Sequence, residues 1–230
     1  MAGRADVVDL LARTELFGSL AKAVRAAVVD QMQEVSFTAG QQIFGHGDAS
    51  REVYLMLNGR VRLSILSGEG RAIAFKHACD GEIFGEIAAL DGGPRSTDAT
   101  ALTVVRAMTL SQAALRHLIE TRPQMADAAI KFVCRRLRET TLQVADIVLQ
   151  PVEVRLARFL SHSATLSAPR ATTVLLDLGI SQGELALLLG AGRQKINTAL
   201  AALESAGAIE RVGGGLRCDV AALARIAQLD

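Results

Sequence analysis

The chain contains few cysteines, and their placement excludes a disulfide framework. Its three cysteines, Cys79, Cys134 and Cys218, are odd in number and far apart along the 230 residues. That pattern offers neither paired bridges nor clustered metal ligands and suits a reducing compartment, so we expect a cytoplasmic protein without a bound metal. The four histidines are also scattered, and no nucleophile–base pair accompanies them, so the sequence does not predict an enzyme.

Long apolar runs and a large net charge are missing as well. Hydrophobic residues make up 50% of the chain, yet no uncharged apolar run is long enough to predict a transmembrane helix. Residues 1–17 carry acidic groups early and lack a signal-peptide apolar core, so we expect no membrane partner. The net charge of +1 is too small to indicate nucleic acid by itself, and a prediction of DNA binding requires a motif.

The hydrophobic pattern changes along the chain. Residues 6–31 place apolar side chains at helical spacing, whereas residues 34 to about 110 form short alternating runs separated by glycine turns. Many short strands with regular turns predict an α+β protein whose N-terminal part is a β jelly roll. Within it, Asn58-Gly59 between two apolar runs predicts a tight hairpin, because both residues tolerate positive φ.

One run, IFGEIAALDGGPRSTDATA at residues 83–101, combines groups that suit a small anionic sugar ligand. Gly85 lacks a Cβ, so backbone amides can approach an anion, and the apolar run after it predicts a short helix with unpaired N–H groups at its start. Glu86 is unfavourable beside an anion unless hydroxyl groups donate hydrogen bonds to it. A sugar 2′-hydroxyl is the natural donor.

Arg95 and the two hydroxyl residues after it supply the other half of this run. The guanidinium of Arg95 is a planar fork for phosphate oxygens, with Ser96 and Thr97 beside it. Together these groups predict a nucleotide site in which phosphate and ribose are adjacent. The alternative is a structural ion pair between Glu86 and Arg95 beside an ordinary turn.

The same run resembles the phosphate-binding cassette of cyclic-nucleotide-binding domains, in which FGE-(I/L)-(A/G)-L is followed by PR-(S/T/A)-A. The resemblance implies that Glu86 binds the ribose 2′-hydroxyl and that Arg95 and Ser96 bind the cyclic phosphate of cAMP or cGMP. Thr97 departs from the usual alanine and adds a hydroxyl near the base or phosphate. The other ligand-binding residues implied by the cassette are Phe84, Gly85, Ile87 and Ala88.

Residues 122 to about 149 predict one long helix, with Pro123 in its first turn and Pro151 beyond its end. Apolar residues at three-four spacing predict a coiled-coil seam and a parallel homodimer, and the alternative is one face packed on its own barrel. The seam consists of Ile130, Val133, Leu137, Thr140, Val144 and Ile147.

The Thr140-Thr141 pair places a polar step in this seam, which costs stability in a dimer interface. By resemblance to the cyclic AMP receptor family, one threonine contacts the purine base in its own subunit and the other reaches across from the partner. Arg136, one turn earlier, is placed to pair with Glu86. Thr140 suits either purine and does not distinguish them; cAMP is favoured and cGMP is the alternative.

The C-terminal block predicts a winged helix–turn–helix. Ser181 is a suitable N-cap with Glu184 three residues later, and Gly190 is the expected residue after the first helix. The second helix starts near Arg193, and the glycine run 213–215 predicts the turn of a wing. The predicted DNA-binding residues, able to read base edges or bind phosphates, are Ser181, Gln182, Arg193, Gln194, Lys195 and Asn197.

This block resembles regulators of the cyclic AMP receptor/FNR family, which carry I-(S/T)-x-x-E-(L/I)-A-x-x-(L/V)-G-x-(S/T)-R-x-x-V. The resemblance implies that Arg193 reads guanine. Gly192 replaces the family's serine or threonine, Gln194 replaces a common glutamate, and Thr198 stands where a second base-contacting arginine occurs. The family's operator sequence is therefore not carried over. A winged helix used for protein contacts is the alternative.

The two resemblances cover about residues 10–225 and imply a homodimeric transcription regulator. Its predicted parts are a cyclic-nucleotide-binding domain (1–121), a dimerisation helix and hinge (122–150) and a winged helix–turn–helix domain (151–230). The expected partners are cAMP or cGMP, double-stranded DNA with a pseudo-palindromic site and a second copy of the chain, with RNA polymerase as a further candidate. An iron–sulfur sensor requires a cysteine cluster, and a haem sensor using His77 does not keep the cassette, so no haem is expected.

Overall fold

Two antiparallel sheets and flanking helices form the first of two units in the computed structural model, which describes residues 3–68 and 72–228. The units are Met1–Glu139 and Thr140–Asp230. The domain limits drawn from the sequence remain predictions.

The helices of the first unit are α1 (Arg4–Leu11), α2 (Lys22–Val29), α3 (Glu86–Asp91), α4 (Gln112–Thr121) and the first part of α5 (Pro123–Leu149). Its strands are β1 (Gln33–Phe37), β2 (Gln42–Phe44), β3 (Glu52–Asn58), β4 (Val61–Leu66), β5 (Ala72–Ala78), β6 (Ile83–Phe84), β7 (Asp98–Ala101) and β8 (Val105–Ser111).

The eight strands form two sheets, with the orders β1-β8-β3-β6 and β2-β7-β4-β5. Their pairings are antiparallel. Both sheets contribute to one apolar core, in which the rings of Phe44, Tyr54 and Phe84 are buried. This arrangement confirms the α+β class and the jelly-roll-like N-terminal domain.

Strand β3 shows why this unit has a second core. Its side chains alternate between faces, as period two requires. Tyr54 and Met56 enter the core between the sheets, whereas Val53 and Leu55 enter a separate core with the helices. Because both faces are covered, β3 is an apolar run rather than an alternating one.

The predicted hairpin at Asn58-Gly59 is wrong. Strand β3 pairs with β6 and β8, whereas β4 pairs with β5 and β7, so the chain passes from one sheet to the other. Gly59 has φ of 105°, but Asn58 is not among the described residues with positive φ, which a type I′ turn requires. A Cβ on Gly59 would lie 2.5 Å from the carbonyl oxygen of Val104. This close backbone approach, rather than a two-residue turn, accounts for the glycine.

Helix α5 has two different surfaces. In its first turns, Met125, Ala128, Ala129 and Phe132 are buried in the helical core of the first unit. This buried face contains none of the residues of the predicted seam. On the predicted seam, Ile130, Val133, Leu137, Thr140 and Val144 are exposed and Ile147 is half-buried. The homodimer remains a prediction.

The second unit continues from the end of α5 into a three-stranded sheet and four helices. Its elements are α6 (Val152–Ser167), β9 (Thr173–Leu176), α7 (Gln182–Leu188), α8 (Arg193–Ser205), β10 (Ile209–Val212), β11 (Gly215–Asp219) and α9 (Val220–Ala227). The sheet order is β10-β11-β9. Gly213 and Gly214, with φ of 56° and 91°, connect β10 to β11. The predicted winged helix–turn–helix is therefore confirmed. Within residues 3–68 and 72–228, none of the helices combines the length and apolar character needed to cross a membrane.

Candidate functional site

The turn at Gly85 holds the cassette together. Pairing of Phe84 with Tyr54 ends β6, and Gly85 then adopts φ of 77°, a left-handed conformation that starts α3. A Cβ at this position would lie 2.7 Å from Nη1 of Arg95 and 2.9 Å from the carbonyl oxygen of Glu52. Glycine is therefore required both by the backbone conformation and by the close approach of a guanidinium.

Arg95 is buried, with 2% of its surface exposed. Its Nε donates to Oγ of Ser50 at 3.0 Å, and its Nη1 donates to the carbonyl oxygens of Glu52 and Gly85 at 2.9 and 2.8 Å. Its Nη2 donates to Oε2 of Glu52 at 3.2 Å. The Cζ atom also lies 4.0 Å from the ring centroid of Phe44, a cation–π distance. These contacts hold the planar cation in one orientation.

The loop after β2 is joined to the cassette through the backbone of Arg95. The amide of Arg95 donates to the carbonyl of Asp48 at 2.9 Å, and the amide of Gly47 donates to the carbonyl of Arg95 at 2.9 Å. Ser50 and Glu52 were not predicted as site residues, because no sequence motif connects them with a residue more than forty positions away. The pairing of β3 with β6 brings Glu52 near the cassette.

Glu86 has a different cation as its partner. It is 5% exposed, and its Oε1 lies 3.6 Å from Nε of Arg136. The pairing expected from the sequence is thus present, whereas Arg95 pairs with Glu52 rather than forming the alternative ion pair with Glu86. Burial raises the pKa of Glu86, while the charge of Arg136, a backbone hydrogen bond and Lys76 act against that rise. A hydroxyl donor would supply a hydrogen bond that favours the ionised form.

The other predicted cassette residues lie around these two charges. Phe84 is buried and stacks on Tyr54, with ring centroids 4.8 Å apart. Of the remaining predicted residues, Ala88 is buried, Thr97 is half-buried, and Ile87 and Ser96 are exposed. On α5, Thr140 and Thr141 are both exposed.

The helix–turn–helix shows the predicted capping. Oγ of Ser181 accepts a hydrogen bond from the amide of Glu184 at 3.2 Å, which satisfies one of the free N–H groups at the start of α7. After this helix, Gly190 has φ of 57°, the conformation expected at a helix end. Both local features predicted from the sequence are confirmed.

The start of α8 presents the predicted DNA-binding side chains. Gly192 is its N-cap, so no side chain caps this helix. A Cβ on Gly183 would lie 2.8 Å from Nη2 of Arg193, which shows that this guanidinium lies against the first turn of α7. Ile196 is buried beneath the surface. The exposed residues of the predicted set are Ser181, Gln182, Arg193, Gln194, Lys195 and Asn197.

Cationic and polar groups, rather than metal ligands, characterise both sites. Within the described part of the chain, no cluster of three or more His, Cys, Asp or Glu side chains is arranged to hold a metal ion. The cassette offers a fixed guanidinium beside a buried carboxylate. The helix–turn–helix offers an exposed group of donors at the start of its second helix. These are features that can bind a small anion and a polyanion, respectively.

Two family models match the chain. One is a cyclic nucleotide-binding domain, matched at residues 34–122, and the other is a Crp-like helix-turn-helix domain, matched at residues 154–226. The first match contains the whole cassette. The second contains α7, α8 and the wing.

Several known proteins are similar to this chain over most of its length. The CRP-like cAMP-activated global transcriptional regulator of Mycobacterium tuberculosis is 31% identical over 194 residues, covering 84% of this chain and 87% of that protein. The Cyclic AMP receptor protein of Thermus thermophilus is 31% identical over 202 residues, covering 87% and 89%. The structure of FixK2 from Bradyrhizobium japonicum has the same fold, with a TM-score of 0.73 at 20% identity over 85% of this chain and 96% of that chain. The chain therefore belongs to the CRP/FNR family of DNA-binding transcription regulators.

Proposed function

We propose that a cyclic nucleotide occupies the cassette and controls DNA binding, and that this nucleotide is cAMP. The observation that carries the proposal is that a buried guanidinium, Arg95, and a buried carboxylate, Glu86, meet at the turn of Gly85. A cyclic nucleotide needs a cation for its phosphate and an acceptor for its 2′-hydroxyl. The two relatives at 31% identity are both named for cyclic AMP, which supports cAMP over cGMP.

Each cassette residue then has a distinct role. Arg95 and Ser96 bind the phosphate, and Glu86 accepts the hydrogen bond of the ribose hydroxyl. The half-buried hydroxyl of Thr97 lies beside them in the chain and contributes to recognition of the phosphate or base. The backbone of Phe84, Gly85, Ile87 and Ala88 forms the wall against which the sugar and phosphate lie.

Recognition of the base is assigned to α5. Arg136 faces Glu86 from this helix. Thr140 and Thr141 follow it by about one turn, are exposed, and supply hydroxyl groups that suit a purine edge. The seam of α5 exposes large apolar side chains, among them Ile130 and Val133. A second copy of the chain that covers this seam makes the protein a homodimer.

The DNA-binding part of the proposal follows from that symmetry. Two helices α8 in a homodimer match a pseudo-palindromic site with half-sites about one DNA turn apart. Arg193 reads a base edge, with Gln194, Lys195 and Asn197 on bases or phosphates and Ser181 and Gln182 on the backbone. Nucleotide binding shifts DNA affinity only as far as the ligand prefers one dimer packing over the other. RNA polymerase is a candidate partner of the DNA-bound form.

Calorimetric titration of the full chain with cAMP and cGMP in parallel tests the ligand. We expect cAMP to bind more tightly, and Arg95→Lys to weaken binding by roughly thirtyfold or more, since lysine keeps the charge but loses the planar fork. Arg106→Lys is the matched control, because Arg106 pairs with Glu34 on the sheet outside the cassette. Binding of neither nucleotide contradicts the proposal, as does an Arg95→Lys variant with unchanged affinity.

Enrichment of bound sequences from a random DNA pool tests the regulatory half. We expect a pseudo-palindromic consensus whose enrichment depends on cAMP in the wild type and no longer depends on it in Arg95→Lys. Equal enrichment of the same consensus with and without nucleotide would agree with specific DNA binding but contradict its control by cAMP. Tighter binding of cGMP than cAMP would transfer the proposal to the other purine.

A further inference from the structure

The carboxylate of Glu52 lies at Nη2 of Arg95, the terminal nitrogen that has no described backbone partner. A guanidinium carries five N–H groups. Nε donates to Ser50, and both contacts of Nη1 are with carbonyl oxygens, those of Glu52 and Gly85. Nη2 instead donates to the side chain of Glu52, at 3.2 Å. These contacts use four of the five N–H groups, and the fifth is also on Nη2. An added anion must therefore approach Arg95 at Nη2, where an anion of the protein already lies.

The backbone and the side chain of Glu52 differ in how firmly contacts hold them. Glu52 is the first residue of β3, where its backbone pairs with that of Ser111. Its carbonyl oxygen accepts a hydrogen bond from Nη1 of Arg95. Its side chain is 43% exposed, whereas that of Arg95 is 1% exposed. The carboxylate can thus turn into solvent while the backbone contact remains. Displacement of this group requires no change in the strand.

Other acidic groups make the site sensitive to added negative charge. The charges of Glu52, Glu86 and Asp48 all act on Arg95, opposing the lowering of its pKa by burial. A phosphate that binds beside these carboxylates is repelled by them and attracted by the guanidinium groups of Arg95 and Arg136. Moving the Glu52 carboxylate away from Nη2 reduces the repulsion closest to the phosphate.

We propose that Glu52 is an intramolecular competitor of the ligand phosphate, which lowers affinity and selects singly charged phosphodiesters over doubly charged phosphomonoesters. This inference rests on the proposed function of the cassette. The carboxylate occupies Nη2 until the ligand displaces it, and it stays within range of the phosphate afterwards. A second negative charge on the ligand meets the same carboxylate and is rejected more strongly.

Glu52→Gln in the full chain tests the inference, because glutamine keeps the size and the backbone carbonyl but removes the charge. We expect the affinity for cAMP to rise by about three- to tenfold, as for an ion pair with one partly exposed partner. The affinity for 5′-AMP should rise by a larger factor, so that selectivity for the cyclic diester falls. Glu34→Gln, which breaks the Glu34–Arg106 pair on the same domain, should change neither affinity.

The possible outcomes distinguish competition of Glu52 with the ligand phosphate from a role of Glu52 in holding Arg95 in place. If Glu52 instead braces Arg95, Glu52→Gln weakens binding of both nucleotides by similar factors, and the inference is overturned. Unchanged affinities overturn it as well. If the wild type binds no cyclic nucleotide but Glu52→Gln does, the inference stands while the proposed function of the natural chain falls. If neither protein binds cAMP, cGMP or 5′-AMP, both fail.

Discussion

Two arginines show how differently the two units present a cation. Arg95 in the cassette is 2% exposed and donates four hydrogen bonds within the protein. Arg193 at the start of α8 is exposed, and its guanidinium lies against Gly183. A single small anion is bound most tightly by groups that are fixed in advance. A long polyanion supplies its own electrostatic attraction, so its partner residues can remain on an open surface.

Different parts of the structure hold the two arginines in position. Arg95 is held by the backbone of Glu52 and Gly85, which belong to a strand and a turn far apart in sequence. Changes that move the backbone at these positions should therefore affect stability and ligand binding together. Arg193 depends on the start of one helix and on one glycine of the preceding helix. Changes there should affect DNA binding with little effect on the rest of the fold.

The largest effect is expected for Gly85→Ala. The added methyl meets Nη1 of Arg95 at 2.7 Å and the backbone of Glu52 at 2.9 Å, and φ of 77° is strained for alanine. We expect the free energy of unfolding to fall by about 1–3 kcal/mol. Displacement of Arg95 should weaken cAMP binding by about 3 kcal/mol, roughly a hundredfold. Denaturant unfolding and calorimetric titration measure the two losses.

Gly92→Ala distinguishes the effect of backbone strain from the effect of displacing Arg95. Gly92 has the same φ of 77°, but a Cβ there meets only the end of the Gln112 side chain, at 3.2 Å. We expect a comparable loss of stability from the strained backbone and a much smaller loss of ligand affinity. Equal losses of affinity in the two variants would show that the fixed position of Arg95 is not what the ligand requires.

The local features of the molecule were predictable from sequence because their causes are local. Ser181 caps α7 through an amide three residues away, and Gly190 adopts positive φ at the helix end, as its position indicated. The order of the cassette residues likewise predicted that Arg95 and Glu86 would be near each other. A short stretch of chain carries enough information for each of these predictions.

The features that sequence missed depend on topology. Glu52 reaches Arg95 because β3 pairs with β6, and Ser50 lies in the preceding loop, whose backbone bonds to Arg95; no pattern in the sequence gives these pairings. The wrong hairpin at Asn58-Gly59 has the same origin. Turn propensity predicted that β3 and β4 are neighbours, but each strand pairs within a different sheet. Local preference is a weak guide where tertiary packing chooses the partner.

A smaller effect, confined to DNA, is expected for Arg193→Ala. Its side chain is exposed, so the free energy of unfolding should change by less than about 0.5 kcal/mol. Loss of a bidentate base contact should weaken binding to the selected DNA by about 1–3 kcal/mol, with less loss on random DNA. Anisotropy titrations on both DNAs measure the difference. Equal loss on both would assign Arg193 to a phosphate instead, and cAMP affinity should be unaffected in either case.

The smallest effect is expected for Gly183→Ala, which tests whether contact with α7 orients the exposed side chain of Arg193. Gly183→Ala adds a methyl 2.8 Å from Nη2 of Arg193, and the side chain can move away because only its flexible end is contacted. Alanine is the better helix former in α7, so the free energy of unfolding should rise by about 0.5–1 kcal/mol. Binding to the selected DNA should nevertheless weaken by roughly twofold, since the guanidinium loses the surface that orients it.

A double-mutant cycle decides whether this loss acts through Arg193. In the Arg193→Ala background, Gly183→Ala should raise stability as before but leave DNA affinity unchanged, because no guanidinium remains to be displaced. The same twofold loss in both backgrounds would mean that Gly183 contacts DNA directly or changes the position of α7. If the cycle gives the expected coupling, Gly183 orients Arg193 on the surface as the carbonyls of Glu52 and Gly85 orient Arg95 in the interior. The difference between the two sites then lies in how many contacts hold the cation, and so in how much binding is lost when one contact is removed.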